Sequence, residues 1–201
     1  MRKVVVLTFI SLDGVMQAPG GKGEDPSGGF NLEGWTVPLF DEEAGKVMDE
    51  QLGQPFDLLL GRKTYDIFSS YWPLQNPDDP TAAALNRAVK YVVSHRPIEN
   101  EWKETMRIAI NVSDEVRKIK DGNGPMLQVH GSSELIQTLL ANDLVDEMWL
   151  KIFPVLLGNG KRLFGGGVRP AAFQLTKSIV TPSGVVVANY GRAGMVKTGS
   201  F

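Results

Sequence analysis

An α/β fold, with a mostly parallel sheet carrying an antiparallel edge, is predicted from three features of the 201-residue sequence. Apolar runs of strand length alternate with amphipathic helical segments, the pattern of successive βα units. The first run, residues 4–10, is β-branched and apolar on both faces, as a central strand is. The chain then closes on strands alone, residues 173–179 and 185–190, joined by the hairpin-type turn Pro182-Ser183-Gly184.

Each element follows from local chemistry. Ser11-Leu12-Asp13-Gly14 breaks the first strand. Residues 18–34, rich in Gly, Pro and charge, read as a flap over a cleft or a loose surface loop. Val37, Leu39, Phe40, Ala44, Val47, Met48 and Leu52 recur at helical spacing, which predicts a helix over 38–52 ending near Gly53. A strand over 56–60 turns at Gly61 into a helix carrying Tyr65, Ile67 and Phe68. After a Pro- and Asp-rich loop over 73–80 come a short helix near 81–88 and strands over 90–94 and 107–110. Ser113 is the expected N-cap of a helix over 114–120, with Gly122 past its end. A strand over 125–130 leads through Gly131-Ser132-Ser133 into a helix burying Leu135, Ile136, Leu139 and Leu140, and a strand over 147–155 follows. No internal repeat or linker divides the chain, so residues 1–201 read as one domain.

Composition narrows the function. A formal net charge of −2 offers no nucleic-acid surface, and no apolar stretch approaches the roughly 18 residues a membrane span needs. The absence of cysteine removes disulfides and thiolate metal sites and suits the cytoplasm. Two histidines, His95 and His130, are too few for a His-based metal centre, so no metal is expected. His130, at a strand end before Gly131, reads as a structural histidine.

Three strand-end turns carry groups suited to phosphate. In Gly61-Arg62-Lys63-Thr64 two cations and a hydroxyl open a helix, where free N–H groups and the dipole favour an anion. Two cations there destabilise the helix start unless an anion joins them; the alternative is a solvated basic turn. Ser94-His95-Arg96 pairs a hydroxyl with a cation suited to a monoester phosphate such as the 2′-phosphate of NADP, or is an ordinary loop. The small residues Gly131-Ser132-Ser133 let a pyrophosphate approach a helix N-terminus. In one sheet these turns converge on one crevice. The G-x-G-x-x-G fingerprint is absent, because no helix-forming run follows Gly165-Gly166-Gly167, which disfavours a standard Rossmann enzyme.

These residues also carry a resemblance. Leu60-Gly61-Arg62-Lys63-Thr64 resembles the Gly-Arg-x-Thr turn of dihydrofolate reductases. Ser11-Leu12-Asp13-Gly14, Leu144-Val145-Asp146-Glu147 and the run from Pro154 to Phe164 resemble the C-terminal reductase domain of the bifunctional riboflavin-biosynthesis deaminase/reductase. From Val4 to Tyr190 the chain is similar to stand-alone members of this dihydrofolate-reductase-like group. The resemblance implies a three-layer α/β/α fold and NADPH as hydride donor. It implies that Arg62, Lys63 and Thr64 touch the pyrophosphate and 2′-phosphate side, and that Ser94 and Arg96 flank the adenosine phosphate. Gly131, Ser132 and Ser133 would cradle the pyrophosphate, with Glu134 and Leu135 starting the helix behind it. Backbone near Phe9 and Met16 would meet the nicotinamide. A small-molecule substrate is implied, with 5-amino-6-(5-phosphoribosylamino)uracil the one the group suggests, and so is a homodimer. An NADP-binding protein of the same fold without the reaction is the alternative.

The departures are specific. Where folate reductases carry a helix carboxylate, this chain has Gly45, and Asp41, Glu42 and Asp49 read as solvated helix-surface groups. Residues 49–55 lack the basic residue of riboflavin reductases, and without cysteine there is no fused zinc deaminase. Asp13 is the candidate acid/base or substrate anchor, provided burial lifts its pKa toward neutrality; otherwise it is a turn-capping Asp before Gly. Trp35 and Trp72, with Tyr71, are candidate walls for a flat substrate, or plain packing.

Overall fold

The computed structural model describes residues 1–99, 102–166 and 168–200. Gly167 of the glycine triplet lies outside them. Eight strands form one sheet in the order β4-β3-β2-β5-β1-β6-β8-β7. They are β1 (Val4–Ser11), β2 (Phe56–Gly61), β3 (Lys90–Val93), β4 (Thr105–Ile108), β5 (Met126–His130), β6 (Glu147–Phe153), β7 (Ala172–Val180) and β8 (Val186–Gly194). Pairings from β4 across to β6 are parallel, whereas β6–β8 and β7–β8 are antiparallel. The predicted mostly parallel sheet with its edge hairpin is therefore present.

Five helices make the outer layers: α1 (Glu42–Leu52), α2 (Arg62–Tyr71), α3 (Pro80–Arg87), α4 (Val112–Asp121) and α5 (Ser133–Ala141). Strand parity assigns them to faces, since alternate side chains point to opposite sides. Val4, Val6, Leu59, Leu127 and Val129 pack against Val116 of α4 and Ile136 and Leu139 of α5. Phe56, Leu58 and Leu60 pack with Leu52 of α1, Tyr65 of α2 and Leu85 of α3 on the opposite face. This is the three-layer arrangement.

Where expectation and structure differ, local capping decides. Helix α1 begins at Glu42, not residue 38, because Asp41 takes extended backbone and its carboxylate accepts from Ala44 N at 2.9 Å. Val37 and Phe40 thus fall outside the helix and are exposed. Ser113 is not the cap of α4; Asn111 is, with φ of +50°, a left-handed conformation that Asn tolerates. Strand β4 ends at Ile108, leaving Ile110 exposed. Strand β6 stops at Phe153, because Pro154 has no N–H for the ladder.

Residues 18–34 are a folded, tied-down loop. Gln17 Nε2 donates to Asp25 O at 2.8 Å and Ser27 O at 2.9 Å, Glu33 receives the N–H groups of Gly23 and Asp25, and Phe30 is buried. Beneath it, residues 14–16 pair with 161–163: Met16 N donates to Lys161 O at 2.8 Å and Leu163 N to Gly14 O at 2.9 Å.

Candidate active site

Three turns meet at the carboxyl edge of the parallel strands, because β5 lies between β2 and β1 in the sheet. Ser132 Oγ is their junction. It accepts from Gly61 N at 2.8 Å and donates to Thr64 Oγ1 at 2.7 Å, tying the start of α2 to the start of α5. The approach requires glycine: a Cβ at Gly61 would lie 2.9 Å from Ser132 Cβ, and Gly131 has φ of +66° with Thr64 Oγ1 3.6 Å from its missing Cβ. From the third turn, buried Ser94 lies with its Oγ 3.5 Å from Arg62 Nη1. Neither α2 nor α5 has a side-chain cap on its first turn, so this crevice presents two helix N-termini. Glu134 is exposed in the first turn of α5, and Leu135 is buried behind Gly61. Ser133 opens the same helix.

The cations are less available than the sequence implies. Arg62 Nε is shared between both Asp66 oxygens at 2.8 and 2.9 Å, and its Nη1 donates to Pro97 O. Lys63 pairs with Asp25 of the 18–34 loop, whose other oxygen holds Lys161 Nζ at 2.7 Å. Burial pushes the Asp25 carboxyl upward, but Lys161, Lys63 and Ser27 together hold it well below the usual carboxylate range. The protein therefore supplies its own anions to the turn, which corrects the expectation that only a ligand balances it. Arg96 is exposed, with its backbone N–H on Ser94 Oγ at 3.2 Å.

Asp13 does not meet the condition set for an acid/base. Ser11 Oγ donates to it at 2.6 Å, Leu157 N at 3.1 Å and Gly158 N at 2.9 Å, and Arg162 Nη2 stands 3.4 Å away. The Ser11 hydroxyl first, then those amides, hold its pKa down to about 2. It is an ionised clamp joining the loop after β1 to residues 157–162. Because its folded pKa is depressed from 3.8, it stabilises the fold above that value and ceases to as pH falls through about 2. Asp13→Asn is expected to lower stability by about 1–2 kcal/mol at neutral pH, the scale of hydrogen bonds to a charged group. Thermal melts down to about pH 2 should show the difference shrinking to nothing across that acid window.

The aromatic candidates separate. Trp35 is buried, edge-on to Phe153 at 5.4 Å with Nε1 on Gln17 O. Trp72 packs in a different apolar cluster, beside Phe68 and Tyr71. They do not wall one cleft. Phe9 packs edge-on to Phe40 at 6.2 Å and Phe153 at 5.8 Å. Met16 is buried, its N–H already given to Lys161.

The sequence reading missed a buried polar line under α1. His130 Nε2 lies 2.9 Å from Gln128 Oε1, Gln128 Nε2 donates to Gln51 O at 3.0 Å, and Gln51 Oε1 accepts from Lys151 Nζ. Burial, then the Lys151 ammonium, pushes His130 down to about 3, so it is neutral and structural as expected. The available signal was Lys151 itself, a cation at an inward position between Trp149 and Phe153 of its strand. No carboxylate of α1 is buried against the sheet: Glu42 and Glu43 pair with Lys46, Asp49 and Glu50 are exposed, and Asp41 before it caps the helix. Among the described residues no cluster of metal-ligating side chains occurs, and no helix is long and apolar enough to cross a membrane.

Comparison with known proteins agrees with this architecture. The uncharacterized protein YyaP of Bacillus subtilis is 30% identical over 193 residues, covering 94% of each chain. A putative riboflavin biosynthesis protein of Shewanella sp. PV-4 superposes with a TM-score of 0.62 at 22% identity, over 95% of this chain and 99% of that one. The dihydrofolate reductase of Enterococcus faecalis, solved with NADP(H), gives 0.61 at 14% identity, over 94% and 96%. The sequence model of the RibD C-terminal domain matches residues 2–187, and by that near-complete match the chain belongs to the RibD C-terminal domain family.

Proposed function

We propose that this protein is an NADPH-dependent reductase of a small heterocyclic or carbonyl substrate, with 5-amino-6-(5-phosphoribosylamino)uracil reduction the activity its family suggests. The observation that carries the reading is the junction of Gly61, Thr64 and Ser132 with Ser94 and Arg62 alongside. Two uncapped helix starts and a glycine-lined approach suit a pyrophosphate. Arg62, Lys63 and Thr64 would hold it with Gly131, Ser132 and Ser133, and Ser94 and Arg96 would hold the adenosine phosphate. Bound there, a reduced nicotinamide supplies the reducing equivalent; the chain binds, orients and excludes water. The E. faecalis reductase, solved with NADP(H), supports the choice of coenzyme.

Calorimetry with NADPH and NADH tests it. NADPH is expected to bind more tightly, and Arg96→Gln, which removes an exposed guanidinium, to weaken NADPH about tenfold while sparing NADH. Failure of both coenzymes to bind would sink the proposal. Tight binding without turnover of any pterin, pyrimidine or dicarbonyl would assign the chain to its non-catalytic alternative. We further read the protein as a cytoplasmic homodimer pairing through its late strands. An apolar groove of about 620 Å³, lined by Met148, Leu150, Ile152, Phe173 and Tyr190, supports pairing on that side.

A further inference from the structure

Four cations are buried among the described residues, and three are well partnered. Arg2 pairs with Asp57, and Lys120 with Asp146 and Leu144 O. Lys90 donates to Asn86 O at 2.6 Å and Lys103 O at 3.0 Å, with the Trp102 ring 4.2 Å away. Lys151 is the exception. It is 2% exposed, and its one hydrogen bond goes to the neutral oxygen of Gln51. The Phe9 ring, 5.6 Å off, is the other group among the described residues positioned to favour its charge.

The groups facing it offer no counter-ion. From α1 comes Gln51, while Glu50 turns outward to Lys177. From β5 comes His130, neutral, by way of Gln128; from β1 comes Phe9, and β8 aligns Val187. Burial alone pushes the Lys151 ammonium down to about 7. A lysine offers only donors, and two of its three N–H groups are unspent. Gln51 is equally underused. Its Nε2 is buried without an acceptor, and across a cavity of about 30 Å³ the buried Asn189 Oδ1 has no donor.

We propose that Lys151 is a substrate-anchoring residue: its Nζ takes an anionic or carbonyl oxygen on the edge of a flat ring, in place of the Gln51 amide. This deepens the reductase reading and rests on it. The flat ring follows from Phe9 with Phe40 and Phe153 around it. The displaced Gln51 amide has a destination, because its unpaired Nε2 and the unpaired Asn189 Oδ1 border the same small cavity. The site thereby prefers an acceptor-edged substrate and rejects a protonated, donor-edged base, which needs a buried carboxylate where α1 offers Gln51.

The test uses the full chain with ¹³C-labelled lysine, titrated with orotate, an anionic pyrimidinedione, and with 2,4-diaminopyrimidine, each with and without NADP⁺. Orotate is expected to shift the Lys151 signal and raise its pKa, and diaminopyrimidine to leave both unchanged. Lys151→Met should weaken orotate about tenfold or more without changing NADP⁺ affinity, and Lys151→Arg should restore part of the loss. Equal orotate affinity in Lys151→Met, no orotate binding at millimolar concentration, or a preference for diaminopyrimidine overturns the assignment. Orotate on Lys151 in a protein that ignores both coenzymes upholds the anchor and sinks the reductase reading. Coenzyme binding without orotate does the reverse.

Discussion

Lys151→Met is expected to be more stable than the natural protein at neutral pH, by about 2–4 kcal/mol. The direction follows from burial. An ordinary lysine titrates at 10.5, whereas Lys151, desolvated on β6 without a carboxylate, is pushed down to about 7. Between those values the unfolded chain binds a proton that the folded chain does not, so stability rises with pH across that window. Below about pH 7 both states are protonated, and the folded state carries the full cost of a buried ammonium. That displacement sets a ceiling of about 5 kcal/mol, from which the lost hydrogen bond to Gln51 subtracts about 1. Chemical denaturation of both proteins from about pH 6 to pH 10 is the measurement. The gap should narrow as pH rises and the natural protein sheds its buried charge. Equal stability at every pH would mean that Lys151 is solvated or paired in solution. A stabilising substitution that also removes ligand affinity is the expected signature of a site that trades stability for function.

Lys151 also marks the limit of what the chain discloses by itself. Parity along β6 places Trp149, Lys151 and Phe153 on one face, so a buried cation is legible once the strand is assigned. That its hydrogen bond goes to Gln51 is not legible, because the two meet across 100 residues of sequence. Asp13 shows the same division. Its place in the turn after β1 and its bond from Ser11 are plain locally, but the amides that help keep it ionised come from residues 157 and 158. Gly131 needs its glycine for a positive φ, whereas Gly61 has ordinary extended backbone and needs glycine only because Ser132 stands so close, a contact that local sequence does not show. The meeting of their turns depends on β5 entering between β2 and β1, a crossover that chain order does not reveal. The loop over 18–34 has a composition compatible with both a flap and a loose surface loop. Its order comes from Gln17, Glu33 and the bridge from Asp25 to Lys63 and Lys161, contacts that composition does not encode.

Gly61→Ala carries the largest expected effect on the crevice itself. The new Cβ would stand 2.9 Å from both Cβ and Oγ of Ser132, closer than packed atoms tolerate. Ser132 has little freedom to yield, since its Oγ bridges Gly61 N and Thr64 Oγ1 and its φ is +63°. Relief must come from parting α2 and α5, which opens the two helix starts proposed to share one pyrophosphate. The expected result is a stability loss of about 1–3 kcal/mol, with NADPH affinity reduced about tenfold or more. Ser132→Gly in the same chain should recover most of the stability, because it removes both offending atoms at a backbone angle that glycine prefers. It does not recover the hydroxyl bridge, so affinity should return only in part. Gly45→Ala is the control: it lies in α1 with 4.0 Å to the nearest atom, and should stabilise the helix by about 0.5–1 kcal/mol without touching the coenzyme. If Gly61→Ala melts and binds NADPH like the natural protein, the three turns do not form a rigid cradle, and the coenzyme must be sought elsewhere on the sheet.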